Sequence, residues 1–276
     1  MTIQQTPQDQ WSLGDNYERY IGRWSRPVAR QFVTWLALPP ARPWLDVGCG
    51  TGALTQAILK DCAPASVLGI DPSAGFIALA RGQVNDARAS FQSGTAEALP
   101  IASVSVDAVV SGLVLNFTPD PAQSLAEMAR AARPGGTVAA YVWDYAEGMQ
   151  MLRLFWDAAS ALDRGAVALD EGRRFPICRS EALRALWREC GLAQIECCDI
   201  DVPTVFSSFD DFWLPFLGGQ GPAPTYCGTL AEDARAALRD RLRAMLPVAA
   251  DGRIALTARA LAVRGVVQNP NWLTEA

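Results

Sequence analysis

The chain has 276 residues, half of them hydrophobic, a formal net charge of −5 and no histidine. That length and composition bury a sizeable core, whereas the acidic balance excludes a duplex nucleic-acid binder, which needs a basic face. The missing histidine removes the commonest general base, the Ser-His-Asp and Cys-His arrangements and most zinc sites. Chemistry therefore falls to carboxylates, tyrosines, a bound cofactor or positioning alone.

The amino terminus, MTIQQTPQDQWSLGDNYERY, is polar and lacks the apolar core of a signal peptide. No apolar run reaches the roughly 18 residues that a membrane-spanning helix needs, so no membrane insertion is expected. Seven cysteines without metal-ligand spacing read as reduced thiols in a cytoplasmic protein, and no metal site is expected. Tyr17, Tyr20 and Trp24 recur at intervals of three and four, which predicts one face of an amino-terminal helix.

Short valine- and isoleucine-rich runs bounded by glycine, proline or serine predict strands at Pro43–Val47, Val67–Asp71, Ala89–Ser93, Val106–Ser111 and Thr137–Trp143. Helical spacing lies between them at Ala53–Lys60, Ala74–Val84 and Ala122–Ala132. The last starts just after Pro119-Asp120-Pro121 and stops at Arg133-Pro134-Gly135-Gly136. Beyond Trp143 the pattern predicts a helix over Met149–Asp163 and a polar stretch through Arg173. A second helix follows at Arg179–Cys190, then a strand at Ala193–Phe206. The segment SSFDDFWLPFLGGQGPAPTYCG reads as an aromatic helix running into a glycine- and proline-rich loop. A helix at Thr229–Met245 and β-like alternation over Leu256–Val267 complete the chain.

Alternating strands and helices predict an α/β fold: a Rossmann-like, doubly wound, mostly parallel seven-stranded sheet. The whole chain reads as a single domain, with a helical lid at 1–36 and a cofactor-binding core at 40–145. Insertions at 146–178 and 206–250 cap the sheet's carboxyl edge.

The stretch WLDVGCGTGALTQAILK, Trp44 to Lys60, places a glycine loop between the first strand and its helix. Such a loop presents backbone N–H groups and a helix amino terminus at the carboxyl edge. A phosphate loop needs a lysine followed by Ser or Thr, which is missing. A dinucleotide fingerprint needs a third glycine one place later than Gly52, and Asp46 repels a pyrophosphate. An acid there suits a ligand that carries positive charge.

The segment Asp46–Gly52, DVGCGTG, resembles the first motif of class I S-adenosylmethionine-dependent methyltransferases. Further motifs follow in order. LGIDPS puts Asp71 where the family accepts the ribose hydroxyls, and GTAEALP (Gly94–Pro100) resembles the adenine-edge segment, with Thr95 in place of the usual aspartate. SVDAVVSGLVLNF resembles the fourth strand and its exit loop, and RPGGTV the turn into the fifth. NYERYIGRWSRP (Asn16–Pro27) is similar to the leading segment of a UbiE-like bacterial subgroup.

The resemblance implies S-adenosyl-L-methionine as cofactor, held by Tyr20, Asp46, Gly48, Cys49, Gly50, Gly52, Asp71, Pro72, Thr95, Ala96, Glu97 and Ser111. It implies a small-molecule methyl acceptor near Tyr17, Trp24, Asn116, Phe117, Trp143 and Trp213, taken as an O- or N-nucleophile. Asp144, at the end of the fifth strand, is the best-placed carboxylate for a proton, with Tyr17 and Asn116 as polar helpers. Monomer and homodimer both stay open. Two rival classes remain at this point: a non-catalytic S-adenosylmethionine-binding module, and a nicotinamide-dependent oxidoreductase on the same type of sheet.

Overall fold

The computed structural model describes residues 18–219 and 221–268. A π-helical turn, Glu18–Gly22, leads into α1 (Arg23–Leu36). Five strands and three helices then alternate: β1 (Pro43–Val47), α2 (Ala53–Asp61), β2 (Ser66–Asp71), α3 (Ala74–Gln83), β3 (Ala89–Ser93), β4 (Val106–Gly112), α4 (Pro121–Ala131) and β5 (Ala132–Trp143). The second half contributes α5 (Gln150–Leu162), α6 (Glu171–Arg174), α7 (Ser180–Glu189), β6 (Ala193–Phe206), α8 (Phe209–Trp213), α9 (Pro222–Thr229), α10 (Glu232–Met245) and β7 (Ile254–Val266).

The described strands form one sheet of seven, in the order β3-β2-β1-β4-β5-β7-β6. β1 pairs in parallel with β2 on one side and β4 on the other, Trp44 meeting both Val67 and Ala108. Chain order reverses direction at this pair, so the loops after β1 and β4 diverge and leave a crevice at the carboxyl edge. Leu45, Val109 and Val110 are buried, as parallel strands covered on both faces require.

β7 runs antiparallel to both β5 and β6. β6 therefore points the same way as β5, and both insertions rise from the carboxyl edge that carries the glycine loop. This geometry makes them a roof. Its interior is aromatic: Phe155 stacks on Phe216 at 4.5 Å, and Phe206, Phe212 and Trp156 are buried beside them. Among the described residues no helix is long and apolar enough to cross a membrane.

Local chemistry sets several boundaries. Ser73 caps α3, its hydroxyl accepting from the Phe76 N–H at 3.3 Å. Asp120 caps α4 by accepting from Ala122 and Gln123, with Pro121 in the first turn. Two expectations need correction. Arg133–Gly136 is not only a stop signal, because β5 already begins at Ala132, entering through a register shift against β4. The expected glycine- and proline-rich loop also winds into α9, since prolines at 222 and 224 lie in its first turn, where no N–H partner is required.

Candidate cofactor and acceptor site

A cavity of about 580 Å³ opens at the crevice between β1 and β4. Its floor is the glycine loop. The Gly48 and Cys49 N–H groups donate to the Ile70 carbonyl at 2.7 and 3.0 Å, which pins the loop to β2. Gly48 sits at φ +72°, and a Cβ there would lie 2.5 Å from Val114. Gly50 sits at φ +53° with open space beside it, and its N–H donates to Asp71 Oδ2 at 3.0 Å. Only glycine adopts these conformations cheaply while letting the backbone face a ligand.

Two carboxylates stand at this end. Asp46, on β1, is 1% exposed; Oδ2 accepts from the Thr55 hydroxyl at 2.6 Å, and Oδ1 has no partner among the described residues. Burial pushes its carboxyl up to about 7, against hydrogen bonding from the Thr55 hydroxyl and backbone N–H, and the nearby Asp71 charge adds to the rise. Asp71 ends β2 and accepts from the Ser73 and Gly50 N–H groups at 2.8 and 3.0 Å. Burial raises it as well, while those two hydrogen bonds pull it back. Pro72, Thr95, Ala96 and Glu97 continue the wall, with Glu97 Oε1 buried and without a partner among the described residues.

At the other end the lining is apolar and aromatic. It comes from Ile21 and Ser25, from Leu113, Val114 and Phe117 after β4, and from Tyr141, Trp143 and Tyr145 along β5 and beyond. No lysine or arginine lines the cavity among the described residues, whereas three acids do. A pyrophosphate would meet uncompensated negative charge here. A cationic sulfur nucleoside fits: the orphaned Asp46 oxygen calls for a positive donor, Asp71 retains lone pairs for ribose hydroxyls, and the glycine cradle admits the ligand closely.

The structure brings Asp46, Gly48, Cys49, Gly50, Asp71, Pro72, Thr95, Ala96, Glu97, Phe117 and Trp143 into one lining. Gly52, at φ +91°, starts α2 just behind it. Other expected residues lie elsewhere. Asp144 does not face the cavity, because Tyr141, Trp143 and Tyr145 alternate toward it and leave Asp144 on the opposite side. There its carboxylate caps a turn by accepting from the Glu147 N–H at 3.0 Å. The same parity buries Ser111 behind Gly112.

Asn116 sits inside the short turn Leu115–Phe117 and is not in the lining, yet both its amide atoms are buried without a partner among the described residues. Ile21 and Ser25 face the cavity, so the helical face is rotated by one residue from the one expected. Tyr20 instead meets Phe216 edge-on at 5.5 Å, and Trp24 lies against Phe206 and the Arg23 guanidinium. Trp213 packs within the roof against Phe216. Tyr17 falls outside the described residues. Thr55, Tyr145, Ser25 and Ile21 also belong to this site, and of these the sequence signals only Tyr145, through strand parity.

The mostly parallel sheet with its switch-point crevice, glycine loop and paired acids defines a class I methyltransferase fold. A methyltransferase-domain family model matches residues 45–140, so this segment carries a methyltransferase domain. The chain is 36% identical over 128 residues to an uncharacterized methyltransferase of Mycobacterium tuberculosis, an overlap of 46% of this chain and 49% of that one. It thus spans about half the length of the curated relatives it matches.

Among solved structures, the YcgJ protein of Bacillus subtilis superposes with a TM-score of 0.57 at 16% identity, covering 88% of this chain and 99% of that one. A phosphoethanolamine N-methyltransferase of Haemonchus contortus, solved with S-adenosyl-L-methionine, gives 0.58 at 18% identity, covering 92% and 56%. At these identities the likeness speaks for the fold.

Proposed function

We propose that the chain transfers a methyl group from S-adenosyl-L-methionine to a small-molecule acceptor, an O- or N-nucleophile, by in-line displacement. The observation that carries this reading is Asp46: a buried carboxylate with an oxygen unused by any described residue, at the end of a glycine-lined cavity that has no cationic side chain among the described residues. The matched domain and the order of the motifs support it. The leading segment supports a UbiE-like subgroup, with residues 1–36 as lid and the chain as a single domain.

The cofactor, when bound, supplies an electrophilic methyl group on a sulfonium. The chain supplies position. Asp46 receives the ligand's positive end, Asp71 its ribose hydroxyls, and Pro72 with Thr95–Glu97 its base. Leu113, Val114, Phe117, Trp143 and Tyr145 hold the acceptor against the methyl group and exclude water. Fixing two reactants at near-attack geometry supplies up to about 7–11 kcal/mol. A nucleophile that loses or carries negative charge toward a sulfonium neutralises charge as it reacts, which dry, apolar walls favour. The orphaned Asn116 amide supports a supporting role beside the Phe117 wall rather than one as a base.

Calorimetric titration with S-adenosyl-L-methionine tests the cofactor half, and S-adenosylhomocysteine release against phenols, amines and carboxylates tests the transfer. A folded protein that gives no heat with the cofactor overturns the reading.

A further inference from the structure

The acceptor end of the cavity is walled by rings that are themselves held by rings. Phe117 and Tyr145 both rest on Phe175, just beyond α6, at 5.2 and 5.7 Å between centroids. Tyr141 rests on Phe32 of α1 at 4.7 Å. A Cβ on Gly112 would lie 2.5 Å from the Tyr141 hydroxyl, so that ring crosses the end of β4 through space that glycine leaves open. Phe32 is fully buried and Tyr141 is 2% exposed. Rings wedged in this way form a wall that is shaped before any guest arrives.

One polar group in the wall is unused. Trp143 is 1% exposed and lines the cavity, and its indole N–H has no partner among the described residues. Two other buried indoles are satisfied, Trp187 donating to the Val138 carbonyl at 3.1 Å and Trp156 to the Glu171 carboxylate. Trp24 and Trp44 share the orphaned state of Trp143 but stand outside the lining. An indole N–H only donates, and leaving it buried and unpaired is costly, so a guest at Trp143 gains by bringing an oxygen.

The two ends of the cavity differ in charge. Asp46, Asp71 and Glu97 belong to the cofactor end, and among the described residues the acceptor end has no charged side chain. A carboxylate, phosphate or ammonium that enters there is stripped of water without a partner, whereas a flat ring gains edge and face contacts with the walls.

Resting on the function proposed above, we infer that the acceptor is a flat aromatic alcohol of phenol type, its ring lodged against Phe117, Tyr141 and Tyr145 and its oxygen taking the Trp143 indole N–H. The phenol enters uncharged and ionises beside the sulfonium. The chain has no histidine and the three acids of the lining stand at the far end, so the phenol proton leaves to solvent. The ionised oxygen is steadied by the indole N–H through a charge-assisted hydrogen bond. Its electron pair forms the bond to the methyl carbon as the carbon–sulfur bond breaks, that pair going to sulfur. The products are an aryl methyl ether and S-adenosylhomocysteine.

The test titrates 2-naphthol, 2-naphthoate, 2-naphthylmethylamine and decahydro-2-naphthol into the full chain saturated with S-adenosylhomocysteine, which lacks the sulfonium and cannot turn over. Naphthol is expected to bind at least about tenfold more tightly than the acid and the amine, and about fivefold more tightly than the non-aromatic alcohol. Equal or preferred binding of any of the three overturns the acceptor class. Trp143→Phe keeps a ring and removes the N–H. It should weaken 2-naphthol about tenfold while changing 2-methylnaphthalene, the same shape without the oxygen, by less than about threefold. Equal changes for both overturn the Trp143 contact. In the wild type, an indole N–H resonance of tryptophan-labelled protein should move downfield with 2-naphthol and stay in place with 2-methylnaphthalene; no such difference overturns the contact by itself. Under saturating S-adenosylmethionine the rate should rise with pH at a lower midpoint for 4-nitrophenol than for the less acidic 2-naphthol. Coinciding midpoints overturn ionisation to solvent, and no ether from either phenol overturns the acceptor class. Absence of cofactor heat in the wild type, by contrast, sinks the underlying function and not merely this inference.

Discussion

Replacing Asp46 with asparagine should raise stability above neutral pH and weaken cofactor binding at once. Lifting an aspartate from 3.8 to about 7 means that ionising it in the ligand-free fold costs about 4 kcal/mol more than in the unfolded chain. The folded state holds the proton more tightly, so stability falls as pH rises between about 4 and 7 and stays low above that. Asparagine keeps an oxygen for the Thr55 hydroxyl and removes the charge. Its amide nitrogen still lacks a partner at the orphaned position, returning about 1–3 kcal/mol of the gain. The net expectation is about 1–3 kcal/mol of added stability at pH 8 and a loss of about 1–3 kcal/mol at pH 4, where the folded aspartate is already neutral. Thermal unfolding at both pH values reads this as a rise of several degrees at pH 8 and a fall at pH 4. Calorimetry should show S-adenosylmethionine bound roughly 10- to 150-fold more weakly, the equivalent of about 1.5–3 kcal/mol for a lost charge-assisted contact. Equal destabilisation at both pH values, or unchanged affinity, refutes the assignment of Asp46 as the partner of a cation.

Three further outcomes follow from the same geometry. Asp71→Ala removes the acceptor for Gly50 and Ser73 as well as for the ribose, and should weaken cofactor affinity by about tenfold or more, read by titration. Gly48→Ala meets both a positive φ and the Val114 side chain at 2.5 Å; it should cost about 2–4 kcal/mol in chemical denaturation, and adding Val114→Ala should recover part of that. Phe155→Ala empties the stack with Phe216 in the roof and should cost about 3–5 kcal/mol, with the Tyr20 edge contact to Phe216 loosened as well.

What could be read from the chain by itself was whatever depends on neighbours in sequence. The seven strands and most helices announce themselves through apolar periodicity and capping residues. The glycine loop with Asp46 and Asp71 is a local strand–turn–helix device whose acids exclude a pyrophosphate before any coordinates are known. Parity and rotation were harder, because they depend on where an element begins. A single step past the end of β5 exchanges Asp144 for Tyr145 at the cavity, and one residue of rotation exchanges Tyr20 and Trp24 for Ile21 and Ser25. Contacts between distant segments were beyond reach altogether. Glu171 reads as one acid in a polar stretch, and only the return of the insertion over the sheet's carboxyl edge buries it, with the Trp156 indole N–H donating to its carboxylate. Burial is a property of the assembled layers, so the groups whose charge is most costly are those that local sequence identifies least.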